Sequence, residues 1–278
     1  GEVRVNKKRV KAETRLALDD IVRVPPIRVP QKRDLVPRAA PISDDTLPIL
    51  FEDEHLLIVD KPAGLACHGG SGIAFGLIER LRASRPNQPF LELAHRLDRD
   101  TSGAIIVCKS RKALVRLQKS MREGGIEKHY RTLVKGDWVN DRQHVKLPLF
   151  KYVTKEGERR VRVDPEKGVP SHSIFTLIRR YGDVSFLDVE LLTGRTHQIR
   201  VHAAESGHPL VGDDKYGDFD FNREVSKGLL GIPFRRMFLH SYSLAFEHPV
   251  THEKMKIESP LPEACEEPIR VLNERKTV

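Results

Sequence analysis

His95-Arg-Leu-Asp-Arg-Asp-Thr-Ser-Gly103 sets one carboxylate, Asp98, between two arginines, Arg96 and Arg99, and closes on the turn-forming residues Asp100, Thr101, Ser102 and Gly103. Upstream, Phe90-Leu-Glu-Leu-Ala94 reads as a strand; downstream, Ala104-Ile-Ile-Val-Cys108 is a short apolar run that suits a buried strand. Asp98 is therefore expected in a loop between two core strands, the kind of place where catalytic groups concentrate. Two plainer readings compete. An Asx-turn built on Asp98 and Asp100 would explain the acidic residues by structure alone. A calcium loop is suggested by Asp98-x-Asp100-x-Ser102-Gly103, but its twelfth position holds Lys109 where Glu is required, and both flanks read as strands instead of helices.

Outward from this loop the chain reads as strand-rich. Leu50 to Val59 forms a hairpin pattern turning at Glu52 to His55, and strands are expected at His129 to Lys135, Ser173 to Arg179 and Val184 to Leu192. Helical periodicity appears in Lys112 to Arg122, where Ala113, Leu114, Leu117 and Met121 share one face and Gly124-Gly125 supply the stop. Strands with interspersed helices, without regular alternation, predict an α+β domain around a largely antiparallel sheet.

Six prolines, Pro25, Pro26, Pro30, Pro37, Pro41 and Pro48, break the pattern before this domain and predict a stiff, extended linker over residues 25–48, leaving 49–278 as the main domain. Residues 1 to 34 carry ten basic side chains against five acidic ones, a local net charge of +5. Within residues 1–24, Val3 to Val10 reads as two short strands around an Asn-Lys turn, and Asp19 to Val24 reads as another strand. This piece resembles the second half of the alpha-L RNA-binding module. A solvated basic arm is the plainer alternative.

Composition narrows the partners. The 278 residues hold 48 Lys and Arg against 39 Asp and Glu, a formal net charge of +9, which favours a polyanion through phosphate neutralisation and counterion release. The three cysteines, Cys67, Cys108 and Cys265, are widely spaced and form no C-x-x-C pair, which argues against a disulfide framework or a zinc site and suits a reducing compartment. No apolar stretch approaches the roughly 20 residues of a membrane helix, and the basic start lacks the apolar segment of a signal peptide. A cytoplasmic protein with no membrane partner is expected.

The loop His95 to Gly103 resembles the catalytic motif of the RluA-type pseudouridine synthases, in which the aspartate is the essential residue; that role falls on Asp98. Three further segments resemble the same family in the expected order. Leu65-Ala-Cys-His-Gly-Gly-Ser-Gly72 follows Lys61-Pro62; it lacks the G-K-[ST] ending of a nucleotide P-loop, although its backbone N–H groups could meet phosphates. Lys128-His-Tyr-Arg-Thr-Leu-Val-Lys-Gly136 matches the motif whose tyrosine lies against the target base, here Tyr130; an ordinary core aromatic is the alternative. In Gly194-Arg-Thr-His-Gln-Ile-Arg-Val-His202 the resemblance implies that Arg200 pairs with the catalytic carboxylate, and Thr196 is expected to cap a short helix ending near Gly207. His197 and His202 are five apart, a spacing that does not stack two metal ligands on a helical face.

Phe75 to Glu79, Phe238 to Pro249 and Pro260 to Pro262 also follow the family pattern, so the resemblance spans about residues 49 to 262; Ser241 and His252 depart from it without touching a catalytic role. It implies a pseudouridine synthase fold with a largely antiparallel mixed central sheet and flanking helices, and a monomer that needs neither cofactor nor metal. The segments around 65 to 95 look most like members acting on large-subunit ribosomal RNA. A transfer-RNA synthase, or a non-catalytic RNA-binding assembly factor, shares parts of the pattern.

The implied reaction breaks the N1 glycosidic bond of uridine, rotates the detached base and rejoins it through C5. An ionised carboxylate can attack C1′ or remove the C2′ proton, and both routes are open. A cation such as Arg200 favours the ionised form, and the uridine must leave its stack. Arg96 is the candidate for filling the vacated space, since a planar guanidinium stacks on bases and bonds phosphate. His95, Arg195 and Thr196 complete the candidate RNA-binding set. Lys151 to Val163 predicts a basic hairpin turning near Glu156-Gly157, with Arg159 and Arg160 on an RNA-contacting edge.

Overall fold

The computed structural model describes residues 3–11, 13–24, 47–70 and 75–275. The chain divides into two compact units, residues 1–38 and 39–278. In the first, Arg4–Val5 (β1) pairs antiparallel with Lys8–Arg9 (β2) and Val22–Arg23 (β3). Asn6 and Lys7 take positive φ in the turn, and the Asn6 side chain holds Asp20 and the Ile21 N–H. The strand expected at Asp19 to Val24 thus shrinks to two residues. Most of the proline-rich stretch, residues 25–46, lies outside the described residues.

The second unit is built on a ten-stranded mixed sheet. Its elements run Ile49–Glu52 (β4), Leu56–Lys61 (β5), Leu77–Ser84 (α1), Glu92–Leu93 (β6), Ser102–Cys108 (β7), Arg111–Arg122 (α2), Ile126–Lys135 (β8) and Arg142–Val145 (β9). Then come Leu149–Val153 (β10), Arg159–Val163 (β11), Ser173–Arg180 (β12), Val184–Leu191 (β13), Gln198–Glu205 (α3), Phe219–Lys227 (α4), Leu239–Glu247 (β14), Lys254–Glu258 (β15) and Glu263–Glu274 (α5). The sheet order is β4-β5-β7-β14-β8-β13-β12-β9, with β15 on β14 and β6 on β7. Only the β7–β14 pair is parallel among these described strands, so the largely antiparallel expectation holds. The hairpin β10–β11 forms a separate two-stranded ribbon.

Period-two alternation sorts the apolar residues onto two faces. Leu57, Val59, Ile105, Val107, Tyr130 and Val134 join Ile199 and Ala203 of α3 in one core. Leu56, Ile58, Ala104, Ile106 and Cys108 pack with Ala113 and Leu117 of α2 on the other. Each fully buried Leu, Ile or Val among them contributes about 1.5–3 kcal/mol. Helix α2 starts at Ser110, whose side chain accepts from the Ala113 N–H at 3.2 Å, and stops at Gly124, whose φ of +78° ends the helix as its glycine pair predicts.

Three helices, α1, α4 and α5, have no counterpart in the periodicity reading. Helix α1 has only eight residues, starting where Glu79 Oε2 accepts from the Gly76 N–H at 2.8 Å, and α5 carries Pro268 inside it, so the helical repeat is short in one and interrupted in the other.

Gly103 explains how the Asp98 loop ends. Its φ is +112°, and a Cβ there would lie 2.3 Å from the Ser241 carbonyl oxygen where β7 meets β14 in parallel register. A side chain would force the two strands apart and strain the backbone as well. Gly103→Ala is expected to destabilise the protein by at least about 2 kcal/mol, read from urea unfolding; wild-type stability in that variant would contradict the packing described here.

Candidate active site

Asp98 sits in the loop between β6 and β7, and its carbonyl accepts from the Thr101 N–H at 3.2 Å. The loop is held from beneath. Lys61, at the end of β5, is fully buried and its ammonium donates to the carbonyls of Pro62 at 3.0 Å, Leu65 at 2.7 Å and Arg99 at 3.0 Å. Gly64 adds its N–H to the same Arg99 carbonyl at 2.9 Å. Burial pushes the Lys61 pKa down to about 8, with Cys67, Asp100 and Asp98 opposing the shift. The Cys67 thiol meets both backbone groups of Leu97, at 3.2 and 3.3 Å, and burial raises its pKa, which marks a structural cysteine.

The cation that faces Asp98 is Arg200, on α3 and 3% exposed. Its Nη1 lies 3.4 Å from Asp98 Oδ2. Its stronger partner is one that the sequence reading missed. Asp213 takes Nε and Nη2 in a two-point grip, both at 2.7 Å, and Asp214 adds a contact at 3.2 Å. Burial works against the Arg200 charge, but Asp213, Asp98 and Asp214 outweigh it and raise the guanidinium pKa. Burial likewise opposes ionisation of Asp213, and Arg200 with the N–H groups of Lys215 and Tyr216 overturns this, lowering its pKa from 3.8. Arg200 is thus held chiefly by Asp213 and presents one remaining edge to Asp98.

His197 also faces Asp98, with Nε2 at 3.8 Å from Oδ2. Its φ of 54° places it in the left-handed region at the N-terminus of α3, without a side-chain capping bond. This corrects the expectation that Thr196 caps the helix. The entrance is organised by Gln198 instead: its Oε1 accepts from Thr193 Oγ1 at 2.8 Å and from the Arg195 N–H at 3.0 Å, while its Nε2 donates to the His172 carbonyl and to Ser173 Oγ. The far end follows the glycine rule, with Gly207 at φ +83° and bonds from Gly207 N to Ala204 O and from His208 N to Ala203 O.

Tyr130, on β8, is 6% exposed; burial pushes its phenol pKa up, and the charge of Asp98 adds to the shift. Arg96 is exposed and makes no ion pair or side-chain hydrogen bond among the described residues. Arg195 is exposed too, reaching only the Pro170 carbonyl at 3.4 Å.

His95, expected among the RNA contacts, instead braces the sheet. Its Nε2 accepts from the Ile106 N–H at 3.1 Å, and burial lowers its pKa to about 4, so it is a neutral acceptor tied to β7. His202 is buried among Ser171, Ser173 and the Leu147 carbonyl, and no metal-binding cluster occurs among the described residues. In the glycine-rich loop, of which residues 71 and 72 lie outside the described residues, the Gly69 N–H is taken by Glu79 Oε2 at 3.1 Å. It is therefore not open to a phosphate.

The site thus joins Asp98, Tyr130, Arg200, His197 and Asp213 from distant stretches of chain. The model for RNA pseudouridylate synthase matches residues 55–205. The ribosomal large subunit pseudouridine synthase C of Salmonella typhimurium is 46% identical over 278 residues, covering 99% of this chain and 86% of that protein. The protein of the same name from Pasteurella multocida is 47% identical over 279 residues, covering 100% and 84%. Among solved structures, human RNA pseudouridylate synthase domain containing 1 matches with a TM-score of 0.64 and 25% identity over 85% of this chain and 98% of its own. Human RNA pseudouridylate synthase domain containing 4, at 21% identity, shares the fold with a TM-score of 0.66 over 81% and 92%. With the matched family segment filling more than half the chain and relatives of this identity extending over nearly all of it, the chain belongs to the RNA pseudouridine synthase family.

Proposed function

We propose that this pseudouridine synthase acts on uridines of large-subunit ribosomal RNA, with Asp98 as the reacting carboxylate. The observation that carries the reading is the meeting of Asp98 with Arg200 at 3.4 Å beside the buried Tyr130, from three segments separated in sequence. The ribosomal substrate is supported by the names of the relatives, whose similarity runs through the N-terminal basic piece as well as the main domain. That piece would add phosphate contacts in the manner of a partial alpha-L module.

In this reading a flipped uridine lies with its ring against Tyr130 and its sugar at Asp98. Tyr130 restrains the detached uracil during its rotation. Arg96, exposed and unpaired, occupies the space left in the RNA stack. Asp213 acts through Arg200: it keeps the guanidinium from closing fully on Asp98, so that the carboxylate stays accessible to the sugar. The hairpin β10–β11 contributes Lys151 and Arg159, both exposed, whereas Arg160 is already paired with Glu158 at 2.7 Å. Arg159 is therefore the stronger candidate of the two hairpin arginines.

Asp98→Asn is expected to abolish tritium release from 5-tritiated uridine in large-subunit ribosomal RNA, with RNA binding retained; turnover in that variant would end the assignment. Reversing Lys151 and Arg159 to Glu is expected to weaken RNA binding and reduce the slope of log affinity against log salt by about two; an unchanged slope would remove the hairpin from the interface.

Asp213→Asn breaks a buried ion pair and is expected to cost about 3 kcal/mol of stability at neutral pH and roughly tenfold in turnover. Because its pKa is depressed in the folded state, Asp213 stabilises above its ordinary value of 3.8, and this contribution is lost as pH falls through the lower folded value. The stability difference between wild type and variant should therefore begin to shrink as pH falls below about 4 and go on shrinking through the lower folded value in urea unfolding. A constant difference would show that the charge is not the cause.

A further inference from the structure

The hydroxyl of Tyr216 joins three parts of the molecule. It accepts the Val161 N–H at 2.9 Å, on the strand β11 edge turned away from β10, and it lies 2.7 Å from His197 Nδ1. The ring beneath this hydroxyl sits 5.1 Å from the Arg200 guanidinium and packs with Leu149, Val161 and Val201, the cluster that seats the hairpin against α3. The neighbouring Lys215 reinforces the seat by pairing with Glu158 of the hairpin at 2.6 Å.

The protons on this chain can be assigned from chemistry. Val161 N–H is a donor, so the Tyr216 oxygen accepts there and directs its own proton elsewhere. The acceptor within reach is His197 Nδ1. A neutral imidazole that accepts at Nδ1 carries its proton on Nε2, and Nε2 is the atom facing Asp98 Oδ2 at 3.8 Å. That gap is longer than a hydrogen bond by under 1 Å. His197 is held there in left-handed backbone geometry, a conformation that non-glycine residues adopt at a cost when the surroundings impose it.

We infer that Tyr216 and His197 are positioning residues that couple the seating of RNA on the β10–β11 hairpin to the carboxylate of Asp98. RNA phosphates pressing on Lys151 and Arg159 move the hairpin and, through Val161 N–H, the Tyr216 hydroxyl. The imidazole follows and its Nε2–H closes on Asp98 Oδ2, fixing which oxygen faces the sugar. No covalent step is involved. The inference rests on the reading of Asp98 as the reacting group, and the experiment separates the two.

Steady-state tritium release would be compared for wild type, Tyr216→Phe, the hairpin variant with Lys151→Ala and Arg159→Ala, and their combination, on the same ribosomal RNA. Tyr216→Phe keeps the ring under Arg200 and removes only the hydroxyl. It is expected to lower kcat about tenfold, the scale of one lost hydrogen bond to a charged network, with KM within about twofold of wild type. The hairpin variant is expected to raise KM and lower kcat. In the Tyr216→Phe background it should raise KM alone, because the link to Asp98 is already cut. Multiplicative kcat losses, or a Tyr216→Phe enzyme with wild-type kcat, would overturn the coupling.

His197→Asn, whose residue type tolerates left-handed backbone, is expected to reproduce the kcat loss and its non-additivity with the hairpin; additive losses there would also overturn it. Thermal unfolding of each variant identifies a loss that comes from folding alone. Asp98→Asn tests the underlying reading by itself, since activity in that variant would remove Asp98 whatever the cycle shows.

Discussion

The buried pair of Arg200 and Asp213 is the constraint on which the site depends. Taking two charges out of water costs several kcal/mol per ion, and the cost is met only when geometry is good and the remaining donors are satisfied. Here both conditions hold: two contacts at 2.7 Å lock one edge of the guanidinium, and Asp213 receives two backbone N–H groups from the loop that follows. The loop 213–216 therefore acquires its shape from the same carboxylate that fixes Arg200. Tyr216, whose ring lies over the guanidinium, is placed by that shape. One ion pair thus sets the positions of the cation facing Asp98 and of the hydroxyl facing His197.

The opposing half of the site is rigid for different reasons. The Asp98 loop is pinned by Lys61 to three carbonyls and by Gly103 to the β7–β14 junction, without any ion pair of comparable burial among the described residues. Two independently braced segments therefore meet across a contact of 3.4 Å that is looser than either brace. This division leaves the Asp98 carboxylate accessible while its neighbours are fixed, the arrangement that preorganised electrostatic sites require.

Local chemistry was legible in the sequence and long-range pairing was not. Asp98 stood out because its turn, its flanking strands and its neighbouring arginines are contiguous, and Arg200 followed from its motif. Nothing in periodicity or spacing links Arg200 to Asp213, because that partner lies in an irregular loop with no repeating pattern to mark it. His197 drew notice only as a possible metal ligand. Its contact with Asp98 depends on a left-handed backbone that no local signal announces. Thr196 failed as a cap because Gln198 folds back to organise the turn, a competition between side chains that residue preference alone does not settle. Strands β8, β12 and β13 were readable as strand patterns and β7 as an apolar run, whereas the central β14 was not marked as a strand, and α1 and α5 lie outside the helical periodicity found.

Charge is distributed unevenly around the site. Three carboxylates, Asp98, Asp213 and Asp214, face one guanidinium, and the buried Lys61 ammonium also acts on Asp98. Burial lowers the His197 pKa, consistent with a neutral form, despite the carboxylate beside it. The Arg200 charge is thus shared among three carboxylates and is not free for a further anion. Of the exposed arginines near the two halves of the site, Arg96 and Arg195 form no ion pair among the described residues, unlike Arg99, which pairs with Asp100 at 3.1 Å. Arg96 and Arg195 therefore carry charge that no carboxylate among the described residues offsets, whereas the charge of Arg200 is shared with three.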